Sequence, residues 1–400
     1  VSEPSSRETY MTDTSNLPLD GVRVLDFTQA EQGPIGTLQL ADFGADVIKV
    51  ERPGVGDLSR HTVGGTSLEA TNNPTYVAMN RNKRSMEIDT KSEAGKQIIY
   101  GLIKEMDVVV NNFRPGVMDK LGFSYEKLKE INPRIIYAAA TGYGPVGPYA
   151  ERPGQDMLAQ ALTGVMAVTA DPSIPSSIYP TALCDYTGGM HLCQGIMAAL
   201  IGRDKTGAGR KVEVSLYDSM LAMQTQEAAY WNKYQKVLNW AAMPLAGHFE
   251  AKDGPMVVIG AFMPNPLKAM CAAFEIDDLT IPYPDMASQI ENKAVIQDTL
   301  RKEVAKYTRD EALARLEGQD VLCSPVRKLS EALEDPQTKI NNMLLDLDHP
   351  VLGKITCVSC PVHISDAPVT VRIMPPLLGE HTEEILREFG LSADGGKSAG

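Results

Sequence analysis

Apolar runs and helical segments alternate along the first half of the chain. Mostly apolar runs rich in β-forming residues occur at 22–27, 45–50, 108–110 and 135–140, and a further strand is predicted at 212–216. Segments with apolar residues at helical spacing occur at 34–43, 91–105, 125–131 and 188–203. Strands that are apolar throughout are typical of a parallel sheet that is covered by helices on both faces. The pattern therefore predicts a doubly wound α/β fold.

The pattern changes after about residue 236. Residues 248–260 alternate around Asp253-Gly254, as in a β-hairpin, and helices with one charged face follow at 293–306 and 309–316. Strand-like alternation returns at 352–371. These changes predict a disordered polar extension at 1–16, a large domain at 17–236, a small α+β domain at 243–324 and a C-terminal segment at 325–400.

Composition and charge argue against several classes of protein. The chain has 400 residues, of which 22% are charged and 43% hydrophobic, as in ordinary globular proteins. Its formal net charge of -13 disfavours nonspecific binding to nucleic acid or to an anionic membrane surface. No apolar run reaches the length of about 18 residues that a membrane helix needs, and residues 1–16 lack the apolar core of a signal peptide. We expect a cytoplasmic protein with no nucleic-acid or membrane partner.

The six cysteines show neither a disulfide framework nor the spacing of a metal site. We interpret them as reduced thiols of a cytosolic protein. Cys357 and Cys360 form a single C-x-x-C without a second ligand pair, so half-buried strand cysteines explain them better than a zinc or redox site. The histidines are too scattered for a metal cage, and neither a G-x-S-x-G elbow nor a Walker A loop occurs. We expect no metal.

A glycine-rich segment, Gly142 to Gly147, follows one of the predicted strands and satisfies the spacing G-x-G-x-x-G. A dinucleotide-binding fingerprint must also open a helix, whose N-terminus then contacts the pyrophosphate. Pro145 and Pro148 lie where that helix would have to form, and a proline disfavours helical geometry at the residue before it. We predict a turn-rich loop at a strand end, where open α/β sheets bind ligands.

Asp156 follows Pro153-Gly154 at the start of a predicted helix. Aspartate is a common N-cap residue, so a structural role explains its position. The backbone N–H groups of a helix start also keep a carboxylate ionised and can stabilise an oxyanion. Position alone therefore leaves both roles open.

Basic residues cluster in this acidic chain around the ends of predicted strands. A solvent-exposed charged surface is the ordinary explanation for such a cluster. The alternative is a site for a polyphosphate ligand. The residues are Lys49, Arg52, Arg81, Lys83, Arg84 and Arg114.

Eight blocks of sequence, taken in order, resemble the class III CoA-transferase family. That family includes formyl-CoA transferases, carnitine-related CoA-transferases and, by divergence, the α-methylacyl-CoA racemases. Each block is a weak signal, but eight in register from about Leu17 to Leu391 are specific. The blocks are 19–27 with Gly33-Pro34, 44–51 with 56–57, 80–85, 112–116, 141–149, 154–156, 335–337 and 376–382.

The resemblance implies a Rossmann-like large domain, a small domain and an interlocked homodimer. It implies acyl-CoA and a carboxylic acid as substrates, with no permanently bound cofactor. It matches Asp156 to the family's catalytic aspartate, and it places Gly33 and Pro34 beside the CoA thioester. The six basic residues become candidate CoA contacts, with Lys83, Arg84 and Arg114 favoured.

The implied mechanism is covalent. Asp156 attacks the donor thioester to form a mixed anhydride, and the released CoA thiolate converts the anhydride to an aspartyl-CoA thioester, which the acceptor acid then attacks. Racemases of the family carry His before this aspartate, whereas Gln155 here cannot transfer protons and is a candidate oxyanion donor or positioning residue. Asp185 falls where the racemases place a second acid, but transferases also carry an aspartate there.

Two alternatives to CoA transfer remain, an α-methylacyl-CoA racemase or epimerase and a non-catalytic CoA-binding protein. Gln155 argues against the first, and an aspartate at 156 in the family setting argues against the second. The stretch 245–266 lacks the glycine run of formyl-CoA transferases, so we do not expect formyl-CoA and oxalate as the substrates.

Overall fold

A computed structural model describes residues 16–61, 72–169, 176–240 and 243–396 of the protein. The predicted extension at 1–16 lies outside the described residues except for Asn16. The chain divides into two compact units. The first contains the chain up to Val165, the segment Ile178–Gln224 and the chain from Asn341 onwards, and the second contains Met166–Ser177 and Thr225–Ile340.

The strands form three sheets. The first sheet contains β1 Arg23–Asp26, β2 Asp46–Glu51, β3 Lys83–Glu87, β4 Val108–Asn111, β5 Ile136–Thr141 and β6 Lys211–Ser215. The second contains β7 Ala246–Ala251, β8 Gly254–Ile259 and β9 Leu322–Pro325, and the third contains β10 Leu344–His349 and β11 Gly353–Val358.

The helices follow in chain order. They are α1 Gln32–Asp42, α2 Pro74–Met79, α3 Glu93–Ile103, α4 Val117–Leu121, α5 Tyr125–Ile131, α6 Asp156–Leu162, α7 Leu183–Thr206, α8 Leu216–Met223, α9 Thr225–Tyr234, α10 Pro266–Ala273, α11 Met286–Glu291, α12 Lys293–Val304, α13 Arg309–Glu317, α14 Leu329–Glu334, α15 Pro336–Ile340 and α16 Thr382–Glu388. Among the described residues, no helix is both long and apolar enough to span a membrane.

The first unit is built on a six-stranded parallel sheet in the order β3-β2-β1-β4-β5-β6. Residues of α3, α5 and α16 pack on one face of the sheet, and residues of α1 and α7 pack on the other. The predicted doubly wound α/β fold is therefore confirmed. The strand order reverses between β1 and β4, and open α/β sheets bind ligands beyond the carboxyl ends of the strands at such a point.

Strand β3 is not predicted by the apolar pattern, which places the basic residues of this segment beside strands and not within one. Lys83 and Arg84 lie inside β3 and pair in register with Val47 and Ile48 of β2. Polar residues can occupy this buried strand because carboxylates on neighbouring elements neutralise them. A strand that contains such charged residues does not appear as an apolar run in the sequence.

The second unit has the antiparallel sheet β7-β8-β9 and a core that α10, α12 and α13 share with it. Strands β7 and β8 form the predicted hairpin. Ala251 pairs with Gly254, so the turn consists of Lys252 and Asp253 rather than Asp253-Gly254 as predicted. The antiparallel strands with packed helices agree with the α+β character expected for this part of the chain.

Candidate active site

Two cavities lie beyond the carboxyl ends of β1, β4 and β5 in the first unit. The larger has a volume of about 670 Å³ and the smaller about 480 Å³. They share the lining residues Gln29, Leu58, Phe113 and Val117, so they adjoin each other. An elongated ligand can occupy both cavities at once.

Asp156 is the first residue of α6, and its side chain is buried. Its Oδ1 accepts a hydrogen bond from Gln160 Nε2 at 2.6 Å. Its Oδ2 accepts bonds from the backbone N–H groups of Cys184 at 2.6 Å and Asp185 at 3.2 Å. Asp156 therefore caps the N-terminus of α7 from outside that helix, because these N–H groups have no partner within it.

The carboxylate of Asp156 lies directly behind the wall of the smaller cavity. Gly154 and Gln155, which precede it in the chain, line this cavity, and so does Asp185, whose backbone N–H donates to it. Asp156 itself is not among the lining residues. Contact between a ligand in this cavity and Asp156 would therefore require the segment before α6 to move.

Asp185 lies in the first turn of α7 and lines the smaller cavity. Burial, together with the nearby negative charges of Glu31 and Asp156, raises the pKa of its carboxyl to about 7. The backbone N–H of Gln32, at the start of α1, donates to this carboxylate. A second acidic group therefore faces the cavity beside Asp156.

Close packing of α1 against α7 brings the backbone N–H of Gln32 to the Asp185 carboxylate. A Cβ on Gly36 would lie 2.8 Å from the carbonyl oxygen of Gly189, and a Cβ on Gly189 would lie 2.7 Å from that of Gln32. Glycine at both positions is what allows the two backbones to approach so closely. The contact fixes the start of α1 relative to the first turn of α7.

The segment from Gly142 to Gln155 contains no helix, in agreement with the predicted loop. Gly142 and Gly154 pack backbone to backbone, because a Cβ on either would lie within 2.5 Å of the Cα of the other. Both glycines line the smaller cavity. Gln155 also lines it, and its side-chain oxygen accepts a bond from the backbone N–H of Met157, so Gln155 caps α6.

Four of the six predicted basic contacts are buried in ion pairs. Lys49 Nζ lies 2.7 Å from Asp57, Arg81 lies 2.6 Å from Asp42, Lys83 lies 3.5 Å from Asp26, and Arg84 lies 2.5 Å from Asp46. Burial lowers the pKa of Lys83 to about 7. These side chains hold the first unit together by neutralising its internal carboxylates.

The remaining two predicted basic residues are exposed and lie in the cavities. Arg52 lines the larger cavity, where Lys91 also lies, and Arg114 lines the smaller one, where Arg152 also lies. Neither Lys91 nor Arg152 is among the basic residues predicted from the sequence. Lys91 follows strand β3. Because the apolar pattern does not predict β3, it also gives no indication that Lys91 lies just after a strand.

Gly33 and Pro34 lie in the first turn of α1 and are buried. A Cβ on Gly33 would lie 2.3 Å from the Cβ of Thr28, and the carbonyl oxygen of Pro34 accepts a bond from Lys83 Nζ. Neither is among the residues that line the two cavities. They shape the turn that presents Gln32 to Asp185.

The acidic group Glu31 is also not selected from the sequence. It is the residue before α1, it is half-buried, and it lines the smaller cavity. Burial raises the pKa of its carboxyl, and so does the negative charge of Asp156. The described residues contain no group of three or more side chains arranged to hold a metal ion.

The model of CoA-transferase family III matches residues 19–382. An acyl-CoA transferase of Fusarium pseudograminearum is 34% identical over 396 residues, which covers 95% of this chain and 87% of that protein. A formyl-CoA:oxalate CoA-transferase of Shigella sonnei is 34% identical over 417 positions, which covers 95% of this chain and 97% of the relative.

Solved structures agree with these sequence matches. A CAIB/BAIF family protein from Brucella suis superposes with a TM-score of 0.83 and 30% identity, covering 94% of this chain and 100% of that one. The hypothetical protein Rv3272 from Mycobacterium tuberculosis gives a TM-score of 0.80 at 30% identity, covering 92% of this chain and 98% of that one.

Proposed function

The chain belongs to CoA-transferase family III and is a CoA-transferase, and we propose that it transfers CoA from an acyl-CoA to a carboxylic acid with Asp156 as the nucleophile. The observation that supports this assignment is the pair of backbone N–H groups at the start of α7 that donate to one oxygen of the Asp156 carboxylate. Such a pair can stabilise the oxyanion that forms when an aspartyl carbonyl is attacked.

The two oxygens of Asp156 suit two different tasks. Oδ2 contacts the N–H groups of Cys184 and Asp185 at 2.6 and 3.2 Å, close to the separations of an oxyanion hole. Oδ1 accepts a bond from the Gln160 amide alone. We propose that Oδ1 attacks the thioester, while Oδ2 stays at the helix N-terminus and carries the charge of the tetrahedral intermediates that form at the aspartyl carbonyl.

The proposed reaction balances without ATP. The Asp156 carboxylate attacks the donor thioester carbonyl, and the C–S bond breaks to give a mixed anhydride and CoA thiolate. The thiolate attacks the aspartyl carbonyl, which forms aspartyl-CoA thioester and releases the donor acid. The acceptor carboxylate attacks this thioester, and the CoA it expels then attacks the acceptor acyl carbon, which regenerates Asp156.

The loop before α6 controls access to the nucleophile in this scheme. Gly142 and Gly154 touch through their backbones, and no side chain fills the space between the two ends of the loop. We propose that the segment 142–155 shifts when acyl-CoA binds and afterwards excludes water from the anhydride and the thioester. Gln155 is proposed as a positioning residue, because it caps the helix whose first residue is Asp156.

The two adjoining cavities suggest where CoA binds. We propose that the nucleotide part occupies the larger cavity, with its phosphates near the exposed Arg52 and Lys91, and that the pantetheine arm extends into the smaller cavity toward Asp156. Arg114 is a candidate contact beside the thioester. The other four predicted basic residues are not proposed as CoA contacts, because they already form ion pairs with buried carboxylates. They are Lys49, Arg81, Lys83 and Arg84.

The covalent intermediate provides the test. The enzyme is incubated with formyl-, butyryl- or succinyl-CoA and no acceptor acid, so that the second half-reaction cannot proceed. We expect an adduct on Asp156, which hydroxylamine converts to a hydroxamate that peptide mass spectrometry can locate. Asp156→Asn should form no adduct and lose transfer by at least about a thousandfold, while CoA still binds.

Two other variants make the result specific. Asp185→Asn removes the second carboxylate of the cavity and should still form the adduct on Asp156, although at a different rate. Asp218→Asn, in the exposed first turn of α8, is the matched control and should behave as wild type. Turnover with the adduct on Asp185, or with no adduct at all, would contradict the assignment of Asp156.

A further inference from the structure

Glu31 is an unpaired carboxylate in the wall of the proposed active site. It precedes α1, lines the smaller cavity and is half-buried. Its side chain makes no hydrogen bond or ion pair with any residue that the structure describes, and the charges it interacts with, Asp156 and Asp185, are negative. A partly buried charge without a counter-charge costs free energy, which a cation or a hydrogen-bond donor in the cavity would recover.

The next residue, Gln32, has an unsatisfied hydrogen-bond donor, whereas Glu31 has an unsatisfied acceptor. Its side chain is 4% exposed, and its Nε2 has no hydrogen-bond partner among the described residues. This amide lies against Gly188, one turn after Asp185 on α7. Buried amide groups are normally hydrogen-bonded, so an orphaned donor beside a cavity indicates a group that a ligand satisfies.

The two arginines of the smaller cavity do not neutralise Glu31. Arg114 and Arg152 are exposed to solvent, and neither forms an ion pair with Glu31. The guanidinium of Arg152 lies over the ring of Tyr149, with 4.3 Å between its carbon and the ring centroid. Water screens exposed charges more than half-buried ones, so the two arginines offset the charge of Glu31 only in part.

We propose that Glu31 selects the acid substrate, favouring carboxylic acids with a cationic or hydrogen-bond-donating substituent and disfavouring dicarboxylates. The inference rests on the proposed CoA transfer. The reacting carboxylate of the acid must approach the aspartyl thioester at 156, and the rest of the acid then lies in the same cavity as Glu31. A second carboxylate there meets a like charge, whereas an ammonium or hydroxyl group meets an unpaired acceptor.

The test uses three four-carbon acceptors that differ in the group at C4, namely butyrate, succinate and 4-aminobutyrate, with one constant acyl-CoA donor at pH 7.5. We expect kcat/KM of the wild type to rank 4-aminobutyrate first and succinate last. Glu31→Gln keeps the size of the side chain and removes its charge, so the ratio between these two acceptors should fall by about tenfold or more. Glu130→Gln, which changes an exposed carboxylate on α5, should leave the ratio unchanged.

The outcomes separate this inference from the proposed function. Transfer to all three acids with ratios within about twofold of one another, unchanged in Glu31→Gln, would overturn the role of Glu31 and leave CoA transfer intact. Bound acyl-CoA with no transfer to any acid would overturn the proposed function and this inference together. If Glu31→Gln does not fold, the wild-type ranking decides, since a preference for succinate contradicts the proposal.

Discussion

The carboxylates of Asp156, Asp185 and Glu31 lie near one another but differ in the number of hydrogen bonds that they accept. Asp156 accepts three N–H groups, each of which stabilises a negative charge, whereas Glu31 accepts none from the described residues. Asp185 is intermediate, since burial and two like charges oppose one backbone N–H donor. Asp156 is the proposed nucleophile, and its three N–H donors suit an attacking carboxylate.

Because the pKa of Asp185 is raised in the folded chain, we expect the free energy of unfolding to depend on pH. In the folded chain the Asp185 carboxyl stays protonated up to about pH 7, whereas in the unfolded chain it loses its proton near its ordinary pKa of 3.8. Each molecule that unfolds between these values releases a proton, so the free energy of unfolding falls as pH rises from about 4 to 7. Ionised Asp185 therefore destabilises the folded chain above pH 7.

Asp185→Asn removes this titration and should stabilise the protein at high pH. We expect the gain in the free energy of unfolding to be larger at pH 8 than at pH 5 by about 1–3 kcal/mol. Urea denaturation at the two values measures it, with Asp218→Asn as the control for the loss of one exposed carboxylate. An equal effect of Asp185→Asn at both pH values would show that its carboxyl is not held protonated in the folded state.

At the scale of elements, glycines decide how closely α1 approaches α7. Gly189→Ala would place a Cβ 2.7 Å from the backbone oxygen of Gln32, and backbone cannot move aside as a side chain can. We expect the helices to separate, with a loss of about 1–3 kcal/mol in the free energy of unfolding. The first turn of α7, which supplies the N–H groups for Asp156, would shift, so kcat should fall by more than the KM for acyl-CoA rises.

A second glycine of the same helix provides the control. A Cβ on Gly202 would meet only the flexible guanidinium of Arg210 at 3.3 Å. Gly202→Ala should leave kcat unchanged and alter the stability by no more than about 1 kcal/mol, since alanine is the better helix former. Chemical denaturation and steady-state kinetics of both variants are the measurements. Equal kinetics for the two variants would show that the spacing of α1 and α7 does not matter for catalysis.

The elements also show what the sequence could and could not reveal. Apolar runs located β1, β2, β4 and β5, because these strands are buried on both faces and are mostly apolar. Strand β3 escaped detection, since Lys83 and Arg84 are buried through partners that come from elsewhere in the chain. No local pattern shows that a charge has a buried partner.

The same limit applies to the candidate site. The sequence predicts a helix start at Asp156, whereas the structure places Asp185 at a helix start as well, because α7 begins at Leu183 and not near Gly188 as predicted. The family resemblance selects Asp156, but its donors Cys184 and Asp185 lie in a different helix, and Glu31 comes from a third part of the chain. Motif matching therefore identifies the family, whereas the surroundings of the carboxylate depend on how α1, α6 and α7 pack together.

For the whole molecule, the distribution of exposed apolar side chains bears on oligomeric state. Helices α6 and α8 pack against each other in the first unit. They expose several large apolar residues, namely Met157, Leu158, Leu162, Leu221 and Met223. Apolar residues that cluster on the surface of a folded chain usually mark an interface with another chain. This feature supports the homodimer that the family resemblance implies.

We expect sedimentation to give twice the 43.4 kDa mass of the chain, with no monomer at concentrations that support full activity. The double variant Leu158→Glu with Leu162→Glu places two charges on α6 and should shift the equilibrium toward monomer, because burying them in an interface is unfavourable. Ile281→Glu, at an apolar residue that is 80% exposed in the second unit outside any helix or strand, is the control for added negative charge. If the chains interlock, dissociation requires partial unfolding, so the α6 variant should lose thermal stability and activity together rather than yield an active monomer. A stable monomer with the full rate of CoA transfer would contradict the interlocked dimer.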